Sequence, residues 1–277
     1  MTTSPLVVAY GAGVDSTAMI IGLVERNVQI DAIVFADTGA EKPETYEYLA
    51  IMDEWLARNN QPQITVVTRP GYVNMQVPDL TLEDELLRLE TLPSWTFGRH
   101  SCSAKWKIDP QNNWAKQWAP AQEAWAAGLP VIRAIGFDCS PQDSKRKDKT
   151  LAYNDECFEA WMPLHDWGWD RVACEAAIIT AGLPVPVKSA CYFCPSAGWD
   201  EVEDLAERHP DLFATAIQIE QQALVAVHKS GDKAGQKKIQ SERIEGIKMG
   251  NHGSWAAHMG LITIEAPQMD FFAEAAG

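Results

Sequence analysis

Short β-branched and aliphatic runs alternate with stretches of helical periodicity over the first two-thirds of the chain, and that alternation predicts the fold class. The runs Leu6–Tyr10, 32–36 and Ile64–Thr68 are apolar at almost every position, the pattern of strands buried on both faces. Between them, 16–26 and 43–59 carry apolar residues at helical spacing, with Pro43 where a first helical residue belongs. Two further runs, 131–137 and 158–164, read as additional strands. Strands separated by helices imply an α/β fold, a doubly wound and mainly parallel five-stranded sheet. Asp109 before Pro110 reads as a cap followed by a first helical turn. In the helix expected over 112–125, Trp114, Trp118 and Trp125 fall at core spacing rather than forming a base-stacking platform. The segment 169–181 is amphipathic and stops at Gly182, with Pro184 behind it. After about residue 187 helical periodicity takes over, at 201–208 and 210–228, with a Gly/Lys-rich join at 229–238. The expected division is a sheet domain over 1–187 and a helical C-terminal extension over 188–277.

Composition narrows the picture. A chain of 277 residues with 46% hydrophobic positions and eleven Trp has ample material for a packed core. The net charge of −15 repels polyanions on average, which disfavours non-specific nucleic-acid binding. Against that average, Lys145, Arg146, Lys147 and Lys149 form one basic run, and 229–248 carries another; they read as a solvated loop and a solvated helix face. No secretory leader and no apolar run of membrane-spanning length is recognisable, so no membrane association is expected. Six cysteines in such a chain favour metal binding, catalysis or plain burial over disulfides, and the expected compartment is the reducing cytoplasm.

Candidate chemistry starts at the first strand-to-helix turn, Tyr10-Gly11-Ala12-Gly13-Val14-Asp15-Ser16-Thr17. Glycines let backbone approach a phosphate closely, the helix start presents N–H groups, and Ser16 and Thr17 add hydroxyls. Asp15 is out of place beside an anion unless a divalent cation such as Mg²⁺ accompanies it. The Gly-Lys-Ser/Thr ending of a Walker loop is missing, as is the dinucleotide glycine spacing. A tight turn with no ligand is the alternative reading of these residues alone.

This turn resembles the PP-loop of the adenine nucleotide α-hydrolase superfamily, with Tyr10 and Ala12 where its pattern has Ser and Gly. Asp37-Thr38-Gly39-Ala40-Glu41-Lys42-Pro43-Glu44-Thr45 is similar to a stretch of phosphoadenosine phosphosulfate (PAPS) reductases. So are Cys102-Ser103-Ala104-Lys105-Trp106-Lys107-Ile108-Asp109-Pro110, Pro163-Leu164-His165-Asp166-Trp167, and the approach from Gly182 to Cys191-Tyr192-Phe193-Cys194. The blocks occur in family order over about residues 6–200. The resemblance implies an ATP site built from Tyr10, Gly11, Ala12, Gly13, Asp15, Ser16, Thr17, Asp37, Thr38 and Gly39. It also implies Lys107 as a phosphate contact, with Asp15, Ser16 and Lys107 as the catalytic set.

The resemblance further implies a metal centre on Cys102, Cys191 and Cys194, with Ser103 in place of a fourth cysteine. Three thiolates suit a [4Fe–4S] cluster with one open iron; zinc with a fourth ligand is the alternative. Cys139, Cys157 and Cys174 are open as that ligand, and burial is the plainer expectation for them. The phosphosulfate reductases use a cysteine near their C-terminus, whereas 195–277 contains none. The expectation is therefore an enzyme that adenylates a substrate with pyrophosphate release and then transfers sulfur. A phosphosulfate reductase, or a non-catalytic nucleotide-binding subunit with structural zinc, stands as the alternative. Asp138 and Arg146, after the fourth strand, are the expected substrate-side residues. The sulfur acceptor, a small molecule or a nucleic-acid constituent, stays open, as do a second copy or a sulfur donor as partner. His100, His165, His252 and His258 have no spacing that assigns them a role.

Overall fold

The computed structural model describes residues 3–69, 80–98, 100–151, 155–226, 244–248 and 253–262. Its five strands are β1 (Leu6–Tyr10), β2 (Ala32–Asp37), β3 (Ile64–Thr68), β4 (Val131–Ile135) and β5 (Phe158–Trp161). They lie in the order β3-β2-β1-β4-β5, and every neighbouring pair is parallel. The helices of the first two-thirds are α1 (Val14–Glu25), α2 (Pro43–Arg58), α3 (Leu82–Leu89), α4 (Ser101–Ser103), α5 (Asp109–Ala115), α6 (Ala119–Ala126), α7 (Pro141–Leu151), α8 (Pro163–Trp167) and α9 (Arg171–Thr180). Then follow α10 (Trp199–Arg208) and α11 (Pro210–Ala226).

Strand periodicity sorts the core into two layers. Leu6, Val8, Tyr10, Ile33 and Phe35 pack with apolar residues of α1, α2 and α9. Val7, Ala32, Val34 and Val131 face the other way, against Trp114, Trp118, Ala121 and Trp125. Helices therefore cover both faces, which is the doubly wound architecture expected from the alternating pattern. The three tryptophans serve that core, Trp114 and Trp118 stacking at 5.1 Å.

The order reverses between β1 and β4. Chains leaving those two strands part to opposite sides, and ligands of open α/β sheets bind in the crevice so formed. The register pairs Tyr10 with Phe35 and Ala9 with Ile135, so β2 runs furthest into that crevice and β4 stops just short of β1.

Several boundaries differ from expectation, each for a local reason. β4 stops at Ile135 rather than 137, because Gly136 turns under the loop that follows β1. β5 stops at Trp161 rather than 164, because Pro163 opens α8. Asp109 does not cap a helix: its backbone is helical, and it follows a π-helical turn over Ala104–Ile108. A wide turn leaves carbonyls unshared, which accommodates a proline lacking N–H. The helix expected over 112–125 breaks between Ala115 and Ala119, with Pro120 in the first turn of α6. The basic run at 145–149, Arg146 included, lies in α7 and not in a loop. Cys174 is buried, but Cys157 is exposed. The join at 229–238 and His252 lie outside the described residues.

The chain divides into two compact units, Met1–Arg88 with Arg99–Tyr192, and Leu89–Gly98 with Phe193–Gly277. The first holds the sheet. Within the second, fully buried Glu220 of α11 accepts from the N–H groups of Ile247 (2.9 Å), Trp255 (2.9 Å) and Ala256 (3.1 Å) and from Ser254 Oγ (2.6 Å). One carboxylate thus ties α11 to the segments around 247 and 255. No helix among the described residues is long and apolar enough to cross a membrane.

Candidate functional site

The loop after β1 is held from three sides. Ala12 adopts a left-handed conformation, φ 56°, which explains why glycine is the residue the loop's pattern favours there. Gly13 occupies the N-cap of α1 and, lacking a side chain, gives no cap bond to the first-turn amides. Those N–H groups, with the positive end of the helix dipole, form an anion-binding edge. Ser16 Oγ accepts from Gly11 N–H and donates to the Gly13 carbonyl, both at 3.2 Å, closing the loop on itself. Tyr10 and Thr17 lie beneath the loop in the core, their hydroxyls 3.2 Å apart. Burial drives the Tyr10 phenol well above its ordinary pKa, so it stays neutral. These two residues support the loop instead of facing its open side.

Ser189 lies over the opposite surface of the loop. Its hydroxyl donates to the Gly11 carbonyl, and a Cβ on Gly13 would meet its Cβ at 3.5 Å. From there the chain runs to the end of β2, where Cys191 forms an isolated antiparallel bridge with Glu41 and Tyr192 N–H donates to the Ala40 carbonyl. Cys191 Sγ is 3.4 Å from Thr38 Oγ1. Ser189 thus touches the glycine loop, and Cys191, two residues on, lies at the end of β2.

At the end of β2, Asp37 accepts from Gly39 N–H (2.7 Å) and Tyr46 Oη (2.8 Å), which fixes the turn. Glu41, with a wholly buried side chain, accepts from Thr38 Oγ1 at 3.3 Å and pairs with Lys107 Nζ at 2.8 Å. Its Oε2 is buried without a hydrogen-bond partner among the described residues. Lys105, Arg69 and the Trp106 indole N–H all converge on Glu85 of α3. These pairs dock the helical run that carries Cys102 against the end of β2, with Lys107 five residues beyond that cysteine.

On the β4 side, Gly136 fits where nothing larger can. A Cβ there would stand 2.7 Å from both N and Cα of Ser16. Asp138 follows, buried, accepting from Ser140 N–H at 2.9 Å and donating its own N–H to Asp143 Oδ2 at 3.3 Å. Arg146 pairs with Asp143 Oδ1 at 2.8 Å and lies over the Phe137 ring. The two expected substrate-side residues thus share one partner, Asp143.

Asp15 faces this group. Arg171, the first residue of α9, places Nη1 3.3 Å from Oδ1 and Nη2 3.4 Å from Oδ2. The first contact is an ion pair without hydrogen-bond geometry, so among the described residues the buried Oδ1 has no hydrogen-bond partner. Burial raises the carboxyl to about 6; Arg171 opposes the shift, and Asp138 and Asp143 add to it. An unbonded carboxylate oxygen at an anion-binding edge is the donor a hard divalent cation uses, so the residues fit Mg²⁺.

The cysteines divide. Burial pushes the Cys174 thiol up to about 12 and raises Cys139 as well, so both are protonated and unreactive at neutral pH. Cys139 Sγ lies 3.6 Å from the Leu164 carbonyl and 3.9 Å from His165 Nδ1. Cys102 is half-buried at the start of its helical run; Cys194 belongs to the second unit, its Sγ 3.1 Å from Ser196 Oγ. Among the described residues no three Cys, His, Asp or Glu side chains gather closely enough to hold a metal ion.

Reading the sequence missed Gly136, Glu41, Arg171 and Ser189. A glycine directly after a strand was a usable signal for the first. Arg171 and Ser189 contact residues 156 and 178 positions away, and no local pattern marks them.

No protein-family model matches the chain. No curated protein matches it either. Among solved structures, the chain is similar to the U34-tRNA thiolase NcsA from Methanococcus maripaludis with its [4Fe-4S] cluster. That likeness covers 96% of this chain and 83% of that one, at 12% identity and a TM-score of 0.40. The fold assignment rests on the sheet itself.

Proposed function

We propose that the chain is a PP-loop enzyme similar to the PAPS reductase family, which binds ATP at the mouth of the sheet and adenylates a substrate oxygen. The observation that carries this reading is the run from Ser189, on the glycine loop, to Cys191, beside Thr38. It supports the reading by linking the glycine loop to a thiol at the end of β2, near where the strand order reverses.

In this reading the amides of 11–17 hold the triphosphate, Thr38 and Gly39 line the nucleotide pocket, and Lys107 contacts phosphate. Ser16 keeps the loop in shape through its two bonds. Asp138 and Arg146 lie on the acceptor's side. Mg²⁺ held by Asp15 would neutralise phosphate charge. A substrate oxygen attacks the α-phosphorus, the α–β P–O bond breaks, and pyrophosphate leaves with the electron pair. A sulfur nucleophile then attacks the activated carbon, the C–O bond breaks, and AMP departs. The groups act by position and charge, so the rate derives from preorganisation rather than from one acid or base. Cys102, Cys191 and Cys194 are the proposed thiolate ligands of an iron–sulfur centre, which would supply the site for sulfur.

The test is anaerobic purification with a visible spectrum, iron and sulfide analysis, and a pyrophosphate-release assay against candidate acceptors. Brown protein that Cys191→Ser bleaches, with acceptor-dependent pyrophosphate, is the expected result. Sulfite from a phosphosulfate with no pyrophosphate from ATP would instead establish the reductase. Colourless, zinc-containing protein that binds nucleotide without turnover would establish a binding subunit.

A further inference from the structure

Arg171 has no role in the proposed site as derived so far, yet its placement asks for one. It opens α9, and a cation at a helix N-terminus works against the helix dipole. The helix does not need it: Asp170 caps α9 by accepting from Ala173 N–H at 2.9 Å. Nor does the core, since the Arg171 side chain is half exposed. What fixes its position is Cys174, one turn on, buried in the core where α9 packs along α1. That packing holds the guanidinium over the first turn of α1.

The pair it makes there is loose. Both contacts to Asp15, at 3.3 and 3.4 Å, are longer than the 2.8 Å of Lys107–Glu41 and of Arg146–Asp143. Charge-assisted N–H···O bonds run to about 2.7–2.9 Å. The guanidinium spans both carboxylate oxygens without closing on either, and Oδ1 makes no hydrogen bond among the described residues. A planar fork of this kind suits two oxygens of a phosphate as well as it suits a carboxylate.

We propose that Arg171 is a phosphate-contacting residue that rests on Asp15 when no nucleotide is bound and moves to the triphosphate when a divalent cation takes Asp15. The inference rests on the reading that this loop binds ATP. It goes further by making the arginine and the cation exchange partners. The carboxylate never loses a positive neighbour, and the departing pyrophosphate gains a cation that the empty site kept occupied. The contact falls on the β- or γ-phosphate, the part of the nucleotide absent from AMP.

The experiment is calorimetric titration of the full chain with ATP and AMP, with Mg²⁺ and with EDTA, for wild type, Arg171→Ala and Arg171→Lys. Losing one charge-assisted contact weakens Mg-ATP binding by about tenfold or more. Binding of AMP, and of ATP in EDTA, is expected to weaken less than that of Mg-ATP, since Arg171 then stays on Asp15 and the variant only uncovers that carboxylate's charge. Arg171→Lys, which keeps charge without the fork, is expected to fall between. A thermal melt establishes that each variant is folded, and if Arg171→Ala is not, the lysine variant carries the comparison. Wild-type Mg-ATP affinity in a folded Arg171 variant, or equal losses for ATP and AMP, would overturn the exchange while leaving the ATP reading intact. Wild-type protein that binds no adenine nucleotide overturns both.

Discussion

Gly136→Ala probes the site with the smallest possible change. The new Cβ would lie 2.7 Å from Ser16 N and Cα and 2.9 Å from the Asp15 carbonyl carbon. Comfortable carbon contacts begin near about 3.5 Å, so something must retreat by roughly 0.8 Å. The obstructing atoms are backbone, which cannot rotate aside. β4 cannot retreat either, because Ile135 is locked into the ladder opposite Ala9. The first turn of α1 must therefore move, and with it the amides of the phosphate edge. Overpacking of this kind costs about 1–3 kcal/mol. For a chain of this size each kcal/mol shifts Tm by about 2–4 °C. A displacement near 1 Å at a positioned site costs up to about 100-fold in rate. The expected outcome is folded protein with unchanged far-UV circular dichroism, a melting temperature lower by several degrees, and Mg-ATP affinity at least tenfold weaker by calorimetry. Gly128→Ala is the control. Gly128 has φ 73° with nothing within 4 Å of a Cβ, so it loses about 1 kcal/mol to backbone strain but keeps nucleotide affinity. If Gly136→Ala binds Mg-ATP as wild type does, the loop over β4 is not the nucleotide site.

Three further outcomes follow from individual residues. Ala12→Val, which forces a β-branched side chain into a left-handed position at φ 56°, is expected to lower stability in urea unfolding by about 2 kcal/mol or more; Ala12→Gly is near neutral, because relieved strain offsets a lost buried methyl. The Asp15 carboxyl is raised from 3.8 to about 6, so between those values the unfolded chain releases a proton that the folded chain keeps. Its contribution to stability thus declines as pH rises through that window, and Asp15→Asn should gain in melting temperature relative to wild type between pH 4 and pH 7; a constant difference would refute the shift. Glu220→Ala strands four buried donors, each costing about 1–3 kcal/mol, so limited proteolysis is expected to open the segments around 247 and 255.

The sheet was legible because parallel strands buried on both faces must be apolar on consecutive residues, as Leu6–Tyr10 and Ala32–Asp37 are. α2 was legible for a similar reason, with Pro43 preset for a first turn. α7 was not: Pro141–Leu151 is polar on nearly every face, so it leaves no periodic trace. The site was half legible. Residues that belong to a turn announce themselves by local chemistry, as Gly11, Gly13, Asp15 and Gly39 do. Residues that reach it from elsewhere do not, because Arg171 looks like any surface arginine and Ser189 like any loop serine. Ala12 is the instructive case, since the left-handed backbone marks the position as one built for glycine even though the chain carries a methyl there.

On the proposed function a chain of net charge −15 has to admit a polyanion to this crevice, and its arrangement of ion pairs suggests a way. Arg171 lies on Asp15, Lys107 on Glu41, Arg146 on Asp143, and Lys105 and Arg69 on Glu85. The first three pairs are locally neutral and the Glu85 group carries one excess positive charge, so the entrance repels phosphate less than the average surface does. Beyond about 8 Å the remaining charge is screened at physiological salt. Binding in such a site exchanges a carboxylate partner for a phosphate partner, and salt weakens both sides of that exchange. The Mg-ATP dissociation constant should therefore rise only slightly between low and moderate KCl. Replacing Glu41 by Gln removes one negative charge from the entrance, so that variant should bind more tightly at low salt and show the steeper dependence. A wild-type slope as steep as the variant's would mean that these cations do not exchange carboxylate for phosphate.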